Sequence, residues 1–259
     1  MISHPAAGPG VIRPAVQRWR LVIAIQTEDA DSGRGVRQVA WEAGLRECGL
    51  PIAGLDADPP RPRTMAAAPL AASIRGDAEL VDVWLVERVP RWRVREALDR
   101  VMPPGQALLD VFDVWLGEAP LPGRVIASVY RVELPAGLDI AAIRAATEAM
   151  LAAPALRRER RKGEGSVAYD LRPFIETLEM GAVTGAGTVD LRLTLRHDPE
   201  RGIGRPDEVI AELGDRLGSR PTPVVIARER LVLGPERVAP ATTPGKGSRR
   251  EGPRVTAAR

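Results

Sequence analysis

The sequence predicts an α+β protein: two tandem ferredoxin-like (βαββαβ-type) domains with disordered termini. Three observations carry that prediction. The order β-α-β-β-α-β can be read once before residue 119 and again after residue 123. Of the ends, 1–16 carries three prolines and no hydrophobic period, and 235–259 is rich in Pro, Gly and Arg and nearly free of large apolar groups, so both are expected to bury too little surface to offset chain entropy. In between, a hydrophobic content of 44% and a charged content of 27% are those of a folded soluble chain, while an aromatic share of 3% leaves the core to Val, Leu, Ile and Ala.

The first domain is expected over 17–118. "RWRLVIAIQT" (18–27) is an apolar run of strand length, rich in Val and Ile. Val36, Val39, Ala40 and Ala43 then recur at helical spacing, and Gly49 with Pro51 ends that helix. A weak strand is read at "PIAGLDA" (51–57) and a firmer one at "AELVDVWLVE" (78–87). "PRWRVREALDRVMPP" reads as a helix with Pro90 near its first turn, Val94, Ala97, Leu98 and Val101 on one stripe, and Pro103 closing it. "QALLDVFDVWLG" (106–117) is the last strand of this unit.

"APLPG" (119–123) reads as a linker, and the second domain is expected over 124–234. It opens with the strand "RVIASVYRVELP" and a helix capped by Asp139, with Ile140, Ile143, Thr147 and Met150 facing inward. "LRRERRKGEGSVAYDLRPFIETLEM" (156–180) predicts a hairpin turning at 163–165. "TVDLRLTLRH" alternates, with Leu191, Leu193 and Leu195 on one face and Arg192, Thr194 and Arg196 on the other. The glycines of "GAVTGAGTVD" (181–190) lie between two strands, which predicts a hairpin connection and not a phosphate loop. A short helix aligning Val209, Leu213 and Leu217 and a final strand at "TPVVIARERLVLG" complete the unit.

Few residues here suit demanding chemistry. The histidines are His4 and His197, and Cys48 stands alone, so spacing assembles no metal cluster, iron–sulfur site or disulfide framework. No Ser occupies a nucleophile elbow. No catalytic residue and no cofactor site is expected. No run of about 18 apolar residues occurs, so no membrane span is expected. The lone thiol and the absence of a secretory pattern at the start make cytoplasm the expected compartment.

Positive charge is more informative, and nearly all of it is arginine, Lys162 and Lys246 being the lysines. Arg157, Arg158, Arg160, Arg161 and Lys162 crowd one hairpin arm. Two readings stand: cations that meet phosphate oxygens, or a charged edge that blocks sheet aggregation. In "YDLRP" (169–173), Asp170 and Arg172 form either a local ion pair on an edge strand or an arginine aimed at an anionic partner. Trp19, Trp41, Trp84, Trp92 and Trp115 could stack on bases, although Trp84 and Trp115 fall within apolar strands and read as packing residues. "DADPPRPRTMAAAPLAAS" (56–73) holds three prolines in seven positions, Pro59, Pro60 and Pro62, around Arg61 and Arg63. Prolines restrict φ and lower the entropy lost on binding, so this segment reads as a shaped loop offering two arginines.

Taken in order, "QRWRLVIA", "LRECGLPIAGLDADPPRPRTMAAAPLAASIRGDAELVDVWL", "YRVELP" and "VAYDLRPFIETLEM" resemble the radical-SAM-linked protein family, a domain of unknown function, over residues 17–233. That family carries a Gly-Phe-Asn-Pro-type loop with a basic residue after it and then a Pro-Leu-Gly-type turn. Asp58 to Arg63 and Ala68-Pro69-Leu70 hold those places here. The family's Ser-His-Leu-Asp-like segment is replaced by "DADSGRGVRQVAWEA", without histidine. The resemblance implies a radical SAM protein as partner, encoded beside it or fused to it, and an RNA substrate by association. The expected function is a non-catalytic accessory protein that binds RNA, tRNA or rRNA among the candidates, through Arg61, Arg63, Arg157, Arg158, Arg160, Arg161, Lys162 and Arg172. A protein-interaction or scaffolding subunit and an RNA-modifying enzyme are the alternatives.

Overall fold

Alternation along the first apolar run decides how the sheet begins. In the computed structural model, which describes residues 13–26, 34–162, 165–184 and 187–235, strand β1 (Gln17–Ile25) sends Trp19, Leu21 and Ile23 to one face and Arg18, Arg20 and Val22 to the other. Helix α1 (Arg34–Glu47) follows, then β2 (Thr64–Ala66), β3 (Arg75–Leu85), α2 (Arg91–Asp99) and β4 (Gln106–Val114). The strands of this half lie in the order β4-β1-β3-β2, every pair antiparallel. Trp19, Leu21 and Ile23 share one core with Leu45 of α1 and with Val94 and Leu98 of α2.

The second half repeats the plan with an insertion. A one-turn helix α3 (Leu121–Arg124) leads into β5 (Val125–Leu134) and α4 (Ile140–Ala152). The arm β6 (Arg157–Lys162) and β7 (Gly165–Asp170) forms its own two-stranded sheet, and a 3₁₀ turn at Arg172–Phe174 returns the chain to β8 (Ile175–Val183). Next come β9 (Val189–Asp198), the short β10 (Gly202–Ile203), α5 (Pro206–Leu217) and β11 (Val225–Leu233). Here the order is β11-β5-β9-β8, again antiparallel throughout. Leu191, Leu193 and Leu195 of β9 are fully buried against Ile143 and Met150 of α4 and Val209 and Leu213 of α5. Asp139 caps α4, its Oδ1 accepting from the Ala141 and Ala142 amides at 2.8 and 3.2 Å.

The protein is thus a mixed α+β fold dominated by one large sheet, because β11 of the second half runs parallel to β3 of the first. That joint is short, pairing Ala227 with Arg75 and Arg228 with Gly76. A buried ion pair reinforces it: the Arg228 guanidinium binds both carboxylate oxygens of Glu79 and donates to the Pro69 and Ala68 carbonyls at 3.0 and 3.2 Å. Gly76 makes room for this, since a Cβ there would sit 2.6 Å from Glu79 Cγ. Segment 119–123 is packed: Leu121 is fully buried, and Arg18 donates to the carbonyls of Glu118 at 2.6 Å and Ala119 at 3.4 Å.

Several local expectations shift. The buried stripe is Trp41 and Leu45 of α1 with Cys48 just past its end, while Val39 is 68% exposed and Ala43 is exposed. The larger apolar side chains set the inward face, and Val36 is a side chain outside the described residues. The weak strand read at 51–57 is a lone bridge from Ile52 to Leu85 followed by turns, because Gly54 adopts φ 86°. Pairing resumes at β2, after the prolines. Strand β4 ends at Val114, so Trp115 lies outside the strand and is 73% exposed instead of packed. Ile140 is exposed at the start of α4, and Leu217 is half-buried at the end of α5. Of the ends expected to be disordered, 1–16 and 235–259, residues 1–12 and 236–259 lie outside the described residues, His4 with them, while the Val16 amide donates to Leu85 O at 2.8 Å and so ties the start of the described chain to β3.

Glu79→Ala would leave the Arg228 guanidinium buried without its counter-charge. The expected cost is about 3–5 kcal/mol of folding free energy, measured by urea unfolding.

Candidate functional site

The proline loop is a fixed object, and its backbone shows why. The Arg61 amide donates to Gly54 O at 2.9 Å, and the Arg63 amide donates to Ala53 O at 2.8 Å, which closes the loop on itself. Both ends are also laced to β3: Ala53 N donates to Trp84 O at 2.8 Å and Trp84 N to Arg63 O at 3.3 Å. Gly54 is required at the base, where a Cβ would lie 2.3 Å from Arg61 O. Arg46, from the last turn of α1, donates to Pro60 O at 3.3 Å, and the Arg13 amide donates to Asp56 at 2.9 Å. The loop therefore presents its side chains from a held frame.

Arg61 is 73% exposed at its side chain, with Glu42 at 3.8 Å. Exposed Arg63 lies over the buried Trp84 ring, 4.7 Å from its centroid. Arg18 lies 5.0 Å from the same centroid, within cation–π range. Cross-strand register explains the cluster: Arg18 stands beside Trp84, and Arg20 beside Asp82 and Phe112, on the sheet face away from α1 and α2. Asp82, fully buried, accepts from Arg18 and from Arg20, the latter at 2.9 Å. Arg20 continues to Glu118 at 2.9 Å, and Glu118 pairs with Arg124. Burial works against the charged form of Glu118, but the hydrogen bonds and charges of Arg20 and Arg124 hold its carboxyl below the usual range. Three guanidiniums, Arg18, Arg20 and Arg124, thus share two carboxylates, leaving the cluster positive.

The hairpin arm is arranged differently. Arg158 pairs with Glu212 at 3.3 Å and Asp215 at 2.5 Å, and Arg160 makes a two-pronged contact with Glu208 at 2.8 Å while lying 4.8 Å from the Tyr169 ring. Both arginines serve to dock the arm on α5. Arg157 is exposed without an ion pair among the described residues, and Arg161 and Lys162 are side chains outside them. Arg172 is not aimed outward. Strand β7 ends at Asp170, so the extended spacing that would align the two residues is lost. Asp170 accepts from the amides of Leu156 and Arg172 at 2.7 and 3.0 Å, while Arg172 donates to Leu151 O at 3.0 Å, near the end of α4, and to Ile175 O at 2.7 Å.

A second concave region lies across the end of β9. It is a cleft of about 480 Å³ bordered by Phe174, Glu176, Arg196, His197, Asp198 and Arg201. His197 Nε2 is 2.8 Å from the hydroxyl of the fully buried Ser128. Burial, with the nearby charge of Arg228, lowers the imidazole pKa to about 4, so it is neutral near pH 7. Cys48 is buried, its thiol pushed up by burial and donating to Leu45 O at 3.2 Å, a packing role. Among the described residues no group of three or more His, Cys, Asp or Glu could hold a metal ion, and no helix is long and apolar enough to cross a membrane.

Sequence reasoning thus located Arg61 and Arg63 on a shaped loop but missed Arg18, Arg20, Asp82, Glu118 and Arg124. The alternation Arg18-Trp19-Arg20-Leu21 carried a signal for the first two, since it puts both arginines on the face opposite the core.

Residues 41–204 match the family described as "Uncharacterized protein conserved in bacteria (DUF2344)", and the chain belongs to that family. No curated protein matches it. Among solved structures, a chain in the crystal structure of a Cbf5-Nop10-Gar1 complex is similar over 82% of this chain and 48% of that one, at 12% identity and a TM-score of 0.46. This chain therefore spans about half the length of that one.

The depressed pKa of His197 gives a pH dependence. An unfolded chain takes up the proton near pH 6.5 and the folded one only near pH 4, so stability falls as pH drops through that window. His197→Gln should flatten this part of the urea-midpoint profile; identical slopes in both proteins would show that the imidazole is not held neutral. Gly54→Ala should loosen the loop, read as faster amide exchange at Arg61 and Arg63 with the rest of β3 unaffected.

Proposed function

We propose that this family member is a non-catalytic accessory protein that binds RNA through the held proline loop and works with a radical SAM partner in the cytoplasm. The observation that carries the reading is the loop itself: Arg61 projects into solvent, and Arg63 is stacked on Trp84, both from a backbone tied at each end. A frame held before binding loses little entropy when phosphate is gripped. Arginine forks suit phosphate oxygens, and releasing counterions from the RNA backbone drives the association. The Arg18, Arg20 and Arg124 network behind the loop supplies a positive background.

The two halves are read as ferredoxin-like units fused edge to edge. The strand orders β4-β1-β3-β2 and β11-β5-β9-β8, each with a helix after its first and third strands, support that reading. The radical SAM partner is inferred from the sequence resemblance alone; this chain would present the substrate, and the radical chemistry would be the partner's. A second reading, a docking subunit without RNA, is favoured by one observation: Phe112, Trp115 and Leu116 are exposed together at the end of β4.

RNA affinity of the purified protein should fall steeply as salt is raised from 50 to 200 mM, the range over which phosphate contacts weaken by orders of magnitude. Arg61→Glu with Arg63→Glu should cost at least about tenfold in a filter-binding assay. Affinity insensitive to salt, or unchanged in the double variant, would overturn the proposal, and co-purification of a protein partner without nucleic acid would favour docking.

A further inference from the structure

The exposed surface of α2 is divided in two. On one side Arg91 and Arg95 are engaged: Arg91 pairs with Asp110 at 2.5 Å and donates to Val111 O at 2.9 Å, while Arg95 lies 3.6 Å from Asp99 and donates to Leu109 O at 3.2 Å. On the other side Trp92, Arg93, Glu96 and Arg100 follow one another at helical spacing, all exposed. Arg93 and Arg100 have no ion-pair partner among the described residues. Trp92 is 67% exposed, whereas Trp19, Trp41 and Trp84 are buried.

These residues border a cleft of about 390 Å³ between α2 and the end of α1. Its floor is apolar, made by Cys48, Leu50 and Ala97, all of them buried core residues. The Cys48 thiol, pushed up by burial, behaves as a small apolar group there. An aromatic wall, an apolar floor and two guanidiniums that outnumber the one lining carboxylate, Glu96, and form no ion pair with it match one chemistry: a flat, uncharged ring carried on an anionic backbone. The end of α1 also joins this cleft to the proline loop, for Arg46 bonds Pro60 O two residues before Cys48 enters the cleft.

We propose that this cleft accepts one unstacked base of single-stranded RNA, its ring against Trp92 and its flanking phosphates on Arg93 and Arg100. The proposal rests on the RNA-binding reading and adds to it a subsite that recognises bases, where the loop recognises phosphate. Stacking on an exposed aromatic tolerates any base, so it increases affinity without selecting sequence.

The test uses the full chain carrying Trp115→Phe, which leaves Trp92 as the strongly exposed indole among the described residues. Titration with oligouridylate should quench tryptophan emission, whereas an abasic oligonucleotide of equal length should bind without quenching. Trp92→Ala should weaken oligouridylate binding about tenfold and leave abasic binding unchanged, with Trp92→Phe restoring part of the loss. Equal affinity of Trp92→Ala and its parent for oligouridylate, with the salt dependence intact, overturns this subsite alone. Absence of any oligonucleotide binding by the parent overturns both the subsite and the function it rests on. Preference of the cleft for an acidic peptide over oligouridylate, read by the same quenching, would assign it to a protein partner instead.

Discussion

Two half-sheets meet along β11 and β3, and a single buried charge pair reinforces the seam. The backbone joint between β11 and β3 spans only two register pairs, so it is weak as a ladder. Arg228 reinforces it by reaching Glu79 on the neighbouring strand and by satisfying two carbonyls of the segment after the proline loop. Burying two charges is costly, and an apolar pair of the same shape could be as stable. What the pair adds is register: the guanidinium has partners in one alignment of β11 on β3 and would be stranded in others. Gly76 is part of the same constraint, since any side chain there would displace Glu79.

That constraint also anchors the loop. Ala68 and Pro69 are bound to Arg228, and the following residues Leu70 and Ile74 enter the core of the second half beside Tyr130 and Leu134. The loop before these residues is laced at both ends to Trp84 in the first half. A segment that crosses the seam and is held on both sides cannot shift without disturbing both cores, and this gives Arg61 and Arg63 their fixed frame. The helices leave this region open because they cover the opposite face of β1, β3 and β4.

Arginine serves three separable purposes here. Arg18, Arg172 and Arg228 are structural, donating to carbonyls and carboxylates inside the fold. Arg158 and Arg160 fasten an inserted arm to the acidic side of α5, a role that both neutralises them and explains why Glu208, Glu212 and Asp215 follow α5's spacing. Arg61, Arg63, Arg93 and Arg100 remain directed at solvent. In a chain whose net charge is only +3, which arginines are left without strong partners matters more than how many there are.

Periodicity alone determined most of the elements, because burying one face of a strand or helix imposes a spacing that a single chain displays. The Leu191, Leu193, Leu195 alternation, the Val94, Ala97, Leu98 stripe, the Asp139 cap and the glycine hairpin between β8 and β9 are legible for that reason. The turn-rich loop with its arginines was legible too, since proline and glycine act locally. Only the tertiary structure decided which charges are spent. Asp82, Glu118 and Glu208 lie 62, 98 and 48 residues from Arg20 and Arg160, and no local pattern joins partners at such separations. The same holds for the tryptophans: Trp84 and Trp115 sit in similar apolar runs, yet one lies inside a central strand and the other just past the end of an edge strand. Position in the assembled sheet separates them, and that position is a long-range property.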